Sequence, residues 1–347
     1  MKKIVLLLLC SLSCALVSAQ QTNEFKLAFG SCANQSSPLR IYDVVVKHQP
    51  NLFVFLGDNV YGDTDIYDSL MAIYQRMGQK PTFRNLKAHV PIIATWDDHY
   101  YGRNDAGRHF AFKHESKRAF MNFFDLNDSA QLKSHDGIYQ VYYYTHQGKT
   151  IQVILLDVRS FRDNLKPYSG EKKCSLRYTY KKYYSPQTSP DSTMLGQQQW
   201  EWLELQLRKP ADLRIIGSGS QFGITWNGYE SWANFPHEQK RMYELIKRTR
   251  ASGVVFISGD VHYAEISKVV EPGLYPIYDV TASGLSSTWE FATPNENRIA
   301  GPVMQNHFGL LSIDFNAAQP YVRMEIWDKD NKKCVTITET IQNLSIR

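Results

Sequence analysis

Five short apolar runs, each cut off by small, acidic or imidazole residues, constrain this chain more than any other feature. Phe25–Gly30 leads into Ser31 and Cys32, Leu52–Leu56 into Gly57 and Asp58, and residues 91–96 into Asp97, Asp98 and His99. Residues 213–216 lead into Gly217, Ser218 and Gly219, and residues 254–257 into Ser258, Gly259, Asp260, Val261 and His262. Such runs, alternating early in the chain with helical stretches such as 41–48, read as buried strands of an α/β layout. Ligands of layered α/β folds sit outside the carboxyl ends of strands. Five chemically loaded loops are therefore expected to share one rim.

Between these runs, residues 137–144 and 150–157 read as paired strands around a turn at Gln147 and Gly148, and 197–207 has the spacing of an amphipathic helix. After about Glu265, strand-like segments dominate at 276–281, 308–315, 321–327 and 335–341, implying a second, more antiparallel sheet. Residues 171–192 mix lysines with Tyr178, Tyr180, Tyr183 and Tyr184 and read as an inserted surface loop. That loop is either a lid or anion-binding rim, or a solvated segment whose tyrosines pack on their own domain. With 347 residues, 43% of them hydrophobic, residues 20–347 can bury one large core as a single domain.

Residues 1–19 have the form of a signal peptide: Lys2 and Lys3, an apolar run from Ile4 to Leu9, then small residues ending in Val17, Ser18 and Ala19. A spanning helix needs about 20 apolar residues, and Ser11, Ser13 and Ser18 interrupt this run. Export to the periplasm or medium is the expectation, with no transmembrane anchor after cleavage; lipidation at Cys10 or Cys14 is the lesser alternative. Loss of two lysines lowers the formal charge of +5 to +3, which argues against bulk nucleic-acid binding. The mature chain keeps Cys32, Cys174 and Cys334, an odd number in a compartment that favours disulfides, so at least one sulfur has another role.

Asp58 and Tyr61 follow one buried strand and can converge on one point; Asp260 and His262 follow another, two apart and so on one side of a strand end. A phenolate is a hard oxygen donor suited to high-valent iron, a carboxylate can bridge two metals, and Cys32 offers a thiolate. Singly, each has an ordinary explanation: Asp58 as a turn residue, Tyr61 as packing, Cys32 as a buried thiol or half of a disulfide. Adjacent acids at Asp97 and Asp98 are costly on an apolar strand unless a cation or hydrogen bonds compensate. The coincidence of all these residues favours a metal centre.

The ordered set Gly30-Ser31-Cys32, Gly57-Asp58-Asn59-Val60-Tyr61, Trp96-Asp97-Asp98-His99 and Ser258-Gly259-Asp260-Val261-His262 resembles the motifs of PhoD-like alkaline phosphatases. Leu156-Asp157-Val158-Arg159, the helix around Trp200, Ser283-Gly284-Leu285 and Asn306-His307-Phe308-Gly309 extend the resemblance from about Phe25 to the C-terminal strands. It implies a metallophosphatase fold, a four-layer αββα sandwich of two mixed sheets flanked by helices, holding Fe(3+) beside Ca(2+) or another divalent ion. It also implies that Cys32, Asp58, Tyr61 and His262 bind the iron, that Asp58 bridges, and that Asn104 and Asp260 serve the second ion. Asp98 and His99 fall where relatives carry a ligand and a catalytic histidine. The chain departs from the pattern at Tyr100, where relatives carry an acid, which leaves His99 either catalytic or a supporting hydrogen bonder.

The implied reaction is hydrolysis of a small-molecule phosphate monoester or diester by a metal-activated hydroxide. Arg103, Arg159 and Arg162 are candidates to hold phosphate oxygens, although Arg159 can equally pair with Asp157. Trp226, Tyr229 and Trp232 can wall a leaving-group pocket or simply pack in the core. With Cys32 as a ligand, Cys174 and Cys334 are left to pair. No Gly-x-Ser-x-Gly, no His-Glu-x-x-His and no complete phosphate-binding loop occurs. The non-enzymatic alternative is a cell-surface binding module whose metal is structural; a closed, fully protein-ligated site would favour it.

Overall fold

In the strand Leu52–Leu56 all five side chains are buried, and successive ones serve different cores. Phe53 and Phe55 pack with Ile41, Tyr42, Leu70, Tyr74, Phe83 and Phe120 from helices on one side. Leu52, Val54 and Leu56 join a cluster with Val153, Ile215, Val255 and Ile257 from other strands. Each such side chain stabilises the fold by about 1.5–3 kcal/mol, so a strand buried on both faces locks two layers at once. A computed structural model of the chain, describing residues 23–170 and 182–346, shows where the layers lie.

One sheet contains β1 (Phe25–Gly30), β2 (Leu52–Leu56), β3 (Ile92–Thr95), and, from the far end of the chain, strands at His307–Asp314, Tyr321–Asp328 and Lys333–Thr340. The other contains β4 (Gln140–His146), β5 (Lys149–Leu155) and, past the short pair β6 (Lys166–Pro167) and β7 (Tyr184–Ser185), β8 (Leu213–Ser218), β9 (Val254–Ser258), β10 (Ala264–Val269), β11 (Ile277–Ala282) and β12 (Arg298–Val303). The three strands that complete the first sheet are β13, β14 and β15 in chain order. Helices Tyr67–Gly78, Pro81–His89 and Lys113–Phe123 cover the first sheet, and Gly196–Leu207 and Pro236–Thr249 cover the second. The architecture is the expected four-layer αββα sandwich of two mixed sheets.

Strands β1, β2 and β3 run parallel, as do β5, β8, β9 and β11. Packing of β2 over β8 and β1 over β11 brings the carboxyl ends of both parallel runs to one rim. The hairpin β4–β5 turns at Gln147 and Gly148, at φ 53° and 73°. A separate antiparallel sheet after Glu265 does not form. Strands β13 to β15 instead add antiparallel to β1, while β11 lies parallel to β9. Alternation of side chains marks a strand as buried but carries no record of its neighbour.

Candidate metal centre

At the rim the backbone turns sharply at the residues that carry donor atoms. Cys32, Asp58, Asp260 and His262 all adopt left-handed backbone, at φ 59°, 48°, 78° and 56°. For residues with a β-carbon this conformation costs about 1–2 kcal/mol each, and strain of this kind is retained where the surrounding structure enforces it, commonly at functional sites. Gly57 precedes Asp58 at φ 116°, where a β-carbon would lie 2.4 Å from that of Asp97. At Gly219 a β-carbon would meet Asp97 Oδ1 at 2.8 Å, so the expected β8 loop supplies clearance rather than donors.

The turns bring Cys32, Asp58 and His262 together, with one donor atom of each within 4.8 Å of the others; Asp58, Asp98 and His99 form a second such group and Asp97, Asp98 and Asp260 a third. Cys32 Sγ lies 3.6 Å from Asp58 Oδ2 and 3.2 Å from Ser283 Oγ. Ser283 also bonds Ser31 Oγ at 3.0 Å and accepts from the His262 backbone N–H at 3.1 Å, tying three strand ends together. His262 Nδ1 lies 3.0 Å from the Ser287 carbonyl, so it carries the proton and leaves Nε2 as an acceptor. Burial lowers the His262 pKa, which favours the neutral, ligating ring. The Tyr61 phenol oxygen lies beside Cys32 yet makes no hydrogen bond of regular geometry. Asp97 Oδ2 and Asp98 Oδ1 are likewise buried without hydrogen-bond partners. Thiol, phenol, imidazole and unsatisfied carboxylate oxygens at one point are a donor set that fits bound metal.

Electrostatics point the same way. Burial leads the causes that push Cys32, Asp58 and Asp260 above their ordinary values, with neighbouring acids adding to it. Asp97 is pushed up by burial, against the pull of Arg159, to about 7, and Asp105 by burial and the Glu230 charge to about 8. Two guanidiniums answer this crowd. Arg159, with a fully buried side chain, pairs with Asp97 and, at 2.7 Å, with Glu230; Arg162 reaches the same Glu230 oxygen at 3.3 Å. Burial opposes ionisation of Glu230, but Arg159 and Arg162 overcome it and hold the pKa at about 2.

These pairs correct two expectations. The Arg159 guanidinium does not pair with Asp157, which instead accepts the Arg159 backbone N–H at 2.9 Å. Neither Arg159 nor Arg162 lines the open cavity, so neither is free to grip phosphate oxygens there. Arg103 is exposed and pairs with Asp65 at 2.9 Å.

His99 finds its acid elsewhere. Tyr100 points into the core, where its hydroxyl donates to the Thr95 carbonyl at 2.5 Å and accepts from Asn59 at 2.9 Å. Asp63, itself at φ 43°, holds His99 Nδ1 at 2.9 Å from both of its oxygens. Burial lowers the His99 pKa, but the Asp63 hydrogen bond and the Asp58 and Asp98 charges outweigh it and raise it to about 9.

The centre opens into a cavity of about 580 Å³ whose lining includes the polar residues Asp98, His99, Asn104, Asp260 and His262 and the aromatics Tyr183, Tyr184, Tyr229, Trp289 and Phe291. Tyr183 and Tyr184 belong to the expected insertion, of which residues 171–181 lie outside the described residues. Of the three aromatics read as pocket or core, Tyr229 lines the cavity and Trp232 is fully buried. Trp226 donates to the Tyr184 carbonyl at 3.1 Å. Glu230, Asp63, Trp289 and Phe291 were not singled out by sequence. Glu230 carries one local signal, an acid inside an aromatic run; the others acquire meaning only through distant partners. Cys32 is free and buried and Cys334 forms no disulfide among the described residues; Cys174 lies outside them, as does the leader 1–19. Among the described residues no helix is long and apolar enough to cross a membrane.

A family model for PhoD-like phosphatases matches residues 71–308, beginning beyond Cys32, Asp58 and Tyr61 and spanning Asp98, His99, Asn104, Asp260 and His262. Alkaline phosphatase D of Bacillus subtilis (strain 168) is 25% identical over 279 residues, 69% of this chain and 46% of that protein. The chain thus spans about half the length of the curated relative it matches. Among solved structures, PhoD is similar with a TM-score of 0.67 at 16% identity, over 91% of this chain and 72% of that one. A purple acid phosphatase from yellow lupin seeds is similar with a TM-score of 0.58 at 12% identity, over 91% and 54%. Both structural likenesses establish the fold.

Proposed function

The chain belongs to the PhoD-like phosphatase family, and from that premise we propose that it is an exported, metal-dependent hydrolase of small-molecule phosphate esters. The observation that carries the proposal is the convergence of Cys32, Asp58, Asp98, Asp260 and His262 on one rim, four of them in left-handed backbone. Cys32, Asp58, Tyr61 and His262 would hold Fe(3+), and Asp98, Asn104 and Asp260 would hold Ca(2+) or another divalent ion beside it. When bound, such ions supply Lewis acidity and an activated water.

The surrounding residues prepare that chemistry. Ser287 fixes the His262 tautomer through Nδ1. Asp63 aims and charges His99, which lines the cavity and donates a proton to the leaving oxygen. Asp98 belongs to the reacting face, one oxygen held by the Asp105 backbone N–H at 2.6 Å and the other without a hydrogen bond, 3.9 Å from the Arg159 guanidinium. Arg159 is a positioning residue: it neutralises Asp97 and Glu230 and so ties the loop bearing Asp98 to the loop bearing Glu230. An open cavity beside the donors supports catalysis over a purely structural metal.

The test is to reconstitute purified protein with iron and calcium, assay bound metal and visible phenolate or thiolate absorption, and measure hydrolysis of p-nitrophenyl phosphate and bis(p-nitrophenyl) phosphate side by side. Metal-bound, coloured, active protein is expected. Full activity after metal stripping ends this reading. Export is checked separately: sequencing the N-terminus of protein recovered outside the cytoplasm should find it starting at residue 20.

A further inference from the structure

We propose that Ser283 is a positioning residue that tunes the metal through Cys32: its hydroxyl donates a hydrogen bond to the Cys32 sulfur, draws charge out of the thiolate and so keeps the bound iron strongly Lewis-acidic. This rests on the reading above, in which Cys32 is a thiolate ligand, and concerns a residue outside the ligand set.

The hydroxyl has several neighbours and a single proton. Ser31 Oγ donates to Ser283 Oγ at 3.0 Å, and the His262 backbone N–H donates to it at 3.1 Å. A serine hydroxyl carries two acceptor lone pairs and one donor hydrogen. With both lone pairs taken, the hydrogen is left for Cys32 Sγ, 3.2 Å away. Other groups beside the sulfur do not replace it. An ionised Asp58, with Oδ2 at 3.6 Å, and the Asp260 carbonyl at 3.6 Å can only accept. Tyr61, a phenolate ligand in the same reading, has no proton to give. Burial pushes the Cys32 thiol up, and Ser283 leads the groups that favour the charged sulfur, ahead of Tyr61 and Ser31.

The surrounding chain holds this arrangement in place. Ser31, Cys32 and Ser283 are fully buried, so bulk water does not compete for the sulfur. A β-carbon on Gly259 would lie 2.6 Å from Ser31 Oγ, so that glycine leaves room for the relay from Ser31 to Ser283. The residues after Ser283 clasp the same strand end: the Leu285 N–H donates to the Ser31 carbonyl at 3.0 Å, and the Ser286 and Ser287 N–H groups donate to the Cys32 carbonyl at 3.1 Å. Sulfur and hydroxyl are thereby kept in register. A thiolate is the softest donor of the set, and its electron donation blunts the Lewis acidity that phosphate-ester hydrolysis needs. A hydrogen bond to the coordinating sulfur offsets that donation and raises the reduction potential of the metal.

The test uses iron-loaded protein, with resonance Raman spectra excited in the visible charge-transfer band and a redox titration of the iron. In the native protein the iron–sulfur stretch is expected to shift on transfer to heavy water. In Ser283→Ala the stretch should lie at higher frequency and lose that sensitivity, and the midpoint potential should fall. Ser31→Ala, which leaves the His262 and Cys32 contacts in place, should move stretch and potential the same way by less, and it carries the test if Ser283→Ala does not fold. A native stretch indifferent to heavy water, or a stretch and potential that neither variant moves, overturns the proposal while the iron–thiolate reading stands. A serine that only ties strand ends would give that second result, with a change in melting temperature alone. Iron-loaded protein with no iron–sulfur mode defeats Cys32 as a ligand, and this proposal with it.

Discussion

Asp58 and Asp157 are both fully enclosed carboxylates just beyond the ends of buried strands, and they are built for opposite purposes. Asp157 receives Trp96 Nε1 at 2.8 Å and the backbone N–H groups of Ile138, Arg159 and Ser160 at 2.9 Å each. Its charge is dispersed over four neutral donors supplied by the fold. Among the described residues Asp58 has only the Cys32 thiol at 3.6 Å and the His99 N–H at 3.4 Å, and its neighbours Asp97 and Asp98 are acids. One carboxylate is satisfied by the protein; the other would be satisfied by the cation proposed above. Hydrogen-bond supply, rather than burial or motif, separates a carboxylate that holds the fold from one that holds a ligand.

Breaking the contrast at Asp58 should have the largest effect. Asp58→Asn is expected to lower kcat/KM by about 10³-fold, roughly 4 kcal/mol of transition-state stabilisation, with loss of bound metal. The metal-free variant should melt at the same temperature as the metal-free parent or higher, because a costly buried acid has gone. Asp157→Ala should do the reverse: it orphans several buried donors, at about 1–3 kcal/mol each, for a net destabilisation of about 3 kcal/mol. Denaturant unfolding gives that number, and metal content per folded molecule should stay near the parent value. If both variants lost stability alike and kept their metal, the distinction between the two carboxylates would be void.

Much of this was readable along the chain because strands and their terminating loops are local. Phe25–Gly30 and Leu52–Leu56 lie where apolar runs end in polar residues, and Cys32, Asp58, Asp98, Asp260 and His262 sit in the loops those endings mark. The partners of those residues were not readable. Glu230 meets Arg159 across 71 residues and Asp63 meets His99 across 36. Tyr100 signals that the usual acid is missing, yet nothing local says that Asp63 replaces it. Strands β13 to β15 show the same limit at larger scale: their alternation announces burial, while their place beside β1 depends on how two sheets share the rim.

Metal itself should sharpen the comparison next. A ligand that binds the folded state alone stabilises it by about 2.7 kcal/mol at a hundred-fold excess over its dissociation constant, and the melting temperature should rise accordingly. The pH dependence should also change sign. Asp97, raised by burial against Arg159 to about 7, and Asp105, raised by burial and Glu230 to about 8, bind protons in the folded state that they release when unfolded. Metal-free protein should therefore lose stability as pH climbs from the ordinary carboxylate range through about 8. With metal bound, charged carboxylates become the stabilising form, and stability should hold or rise over the same interval. Thermal melts from pH 5 to 8 with and without metal decide it.

The smallest effect should come from Asp63, whose side chain is 45% exposed, so that solvent screens its hold on His99. Asp63→Asn keeps the shape and removes the charge, and a loss of about ten-fold in kcat is expected, as for other residues that orient a site histidine. The pattern across substrates matters more than the size. If His99 protonates the leaving oxygen, alkyl phosphates, whose alkoxide leaves poorly, should suffer the loss, while p-nitrophenyl esters, whose leaving group needs no proton, should be nearly indifferent. Equal losses on both would make His99 a supporting hydrogen bonder to the metal loops, with Asp63 acting on their geometry alone.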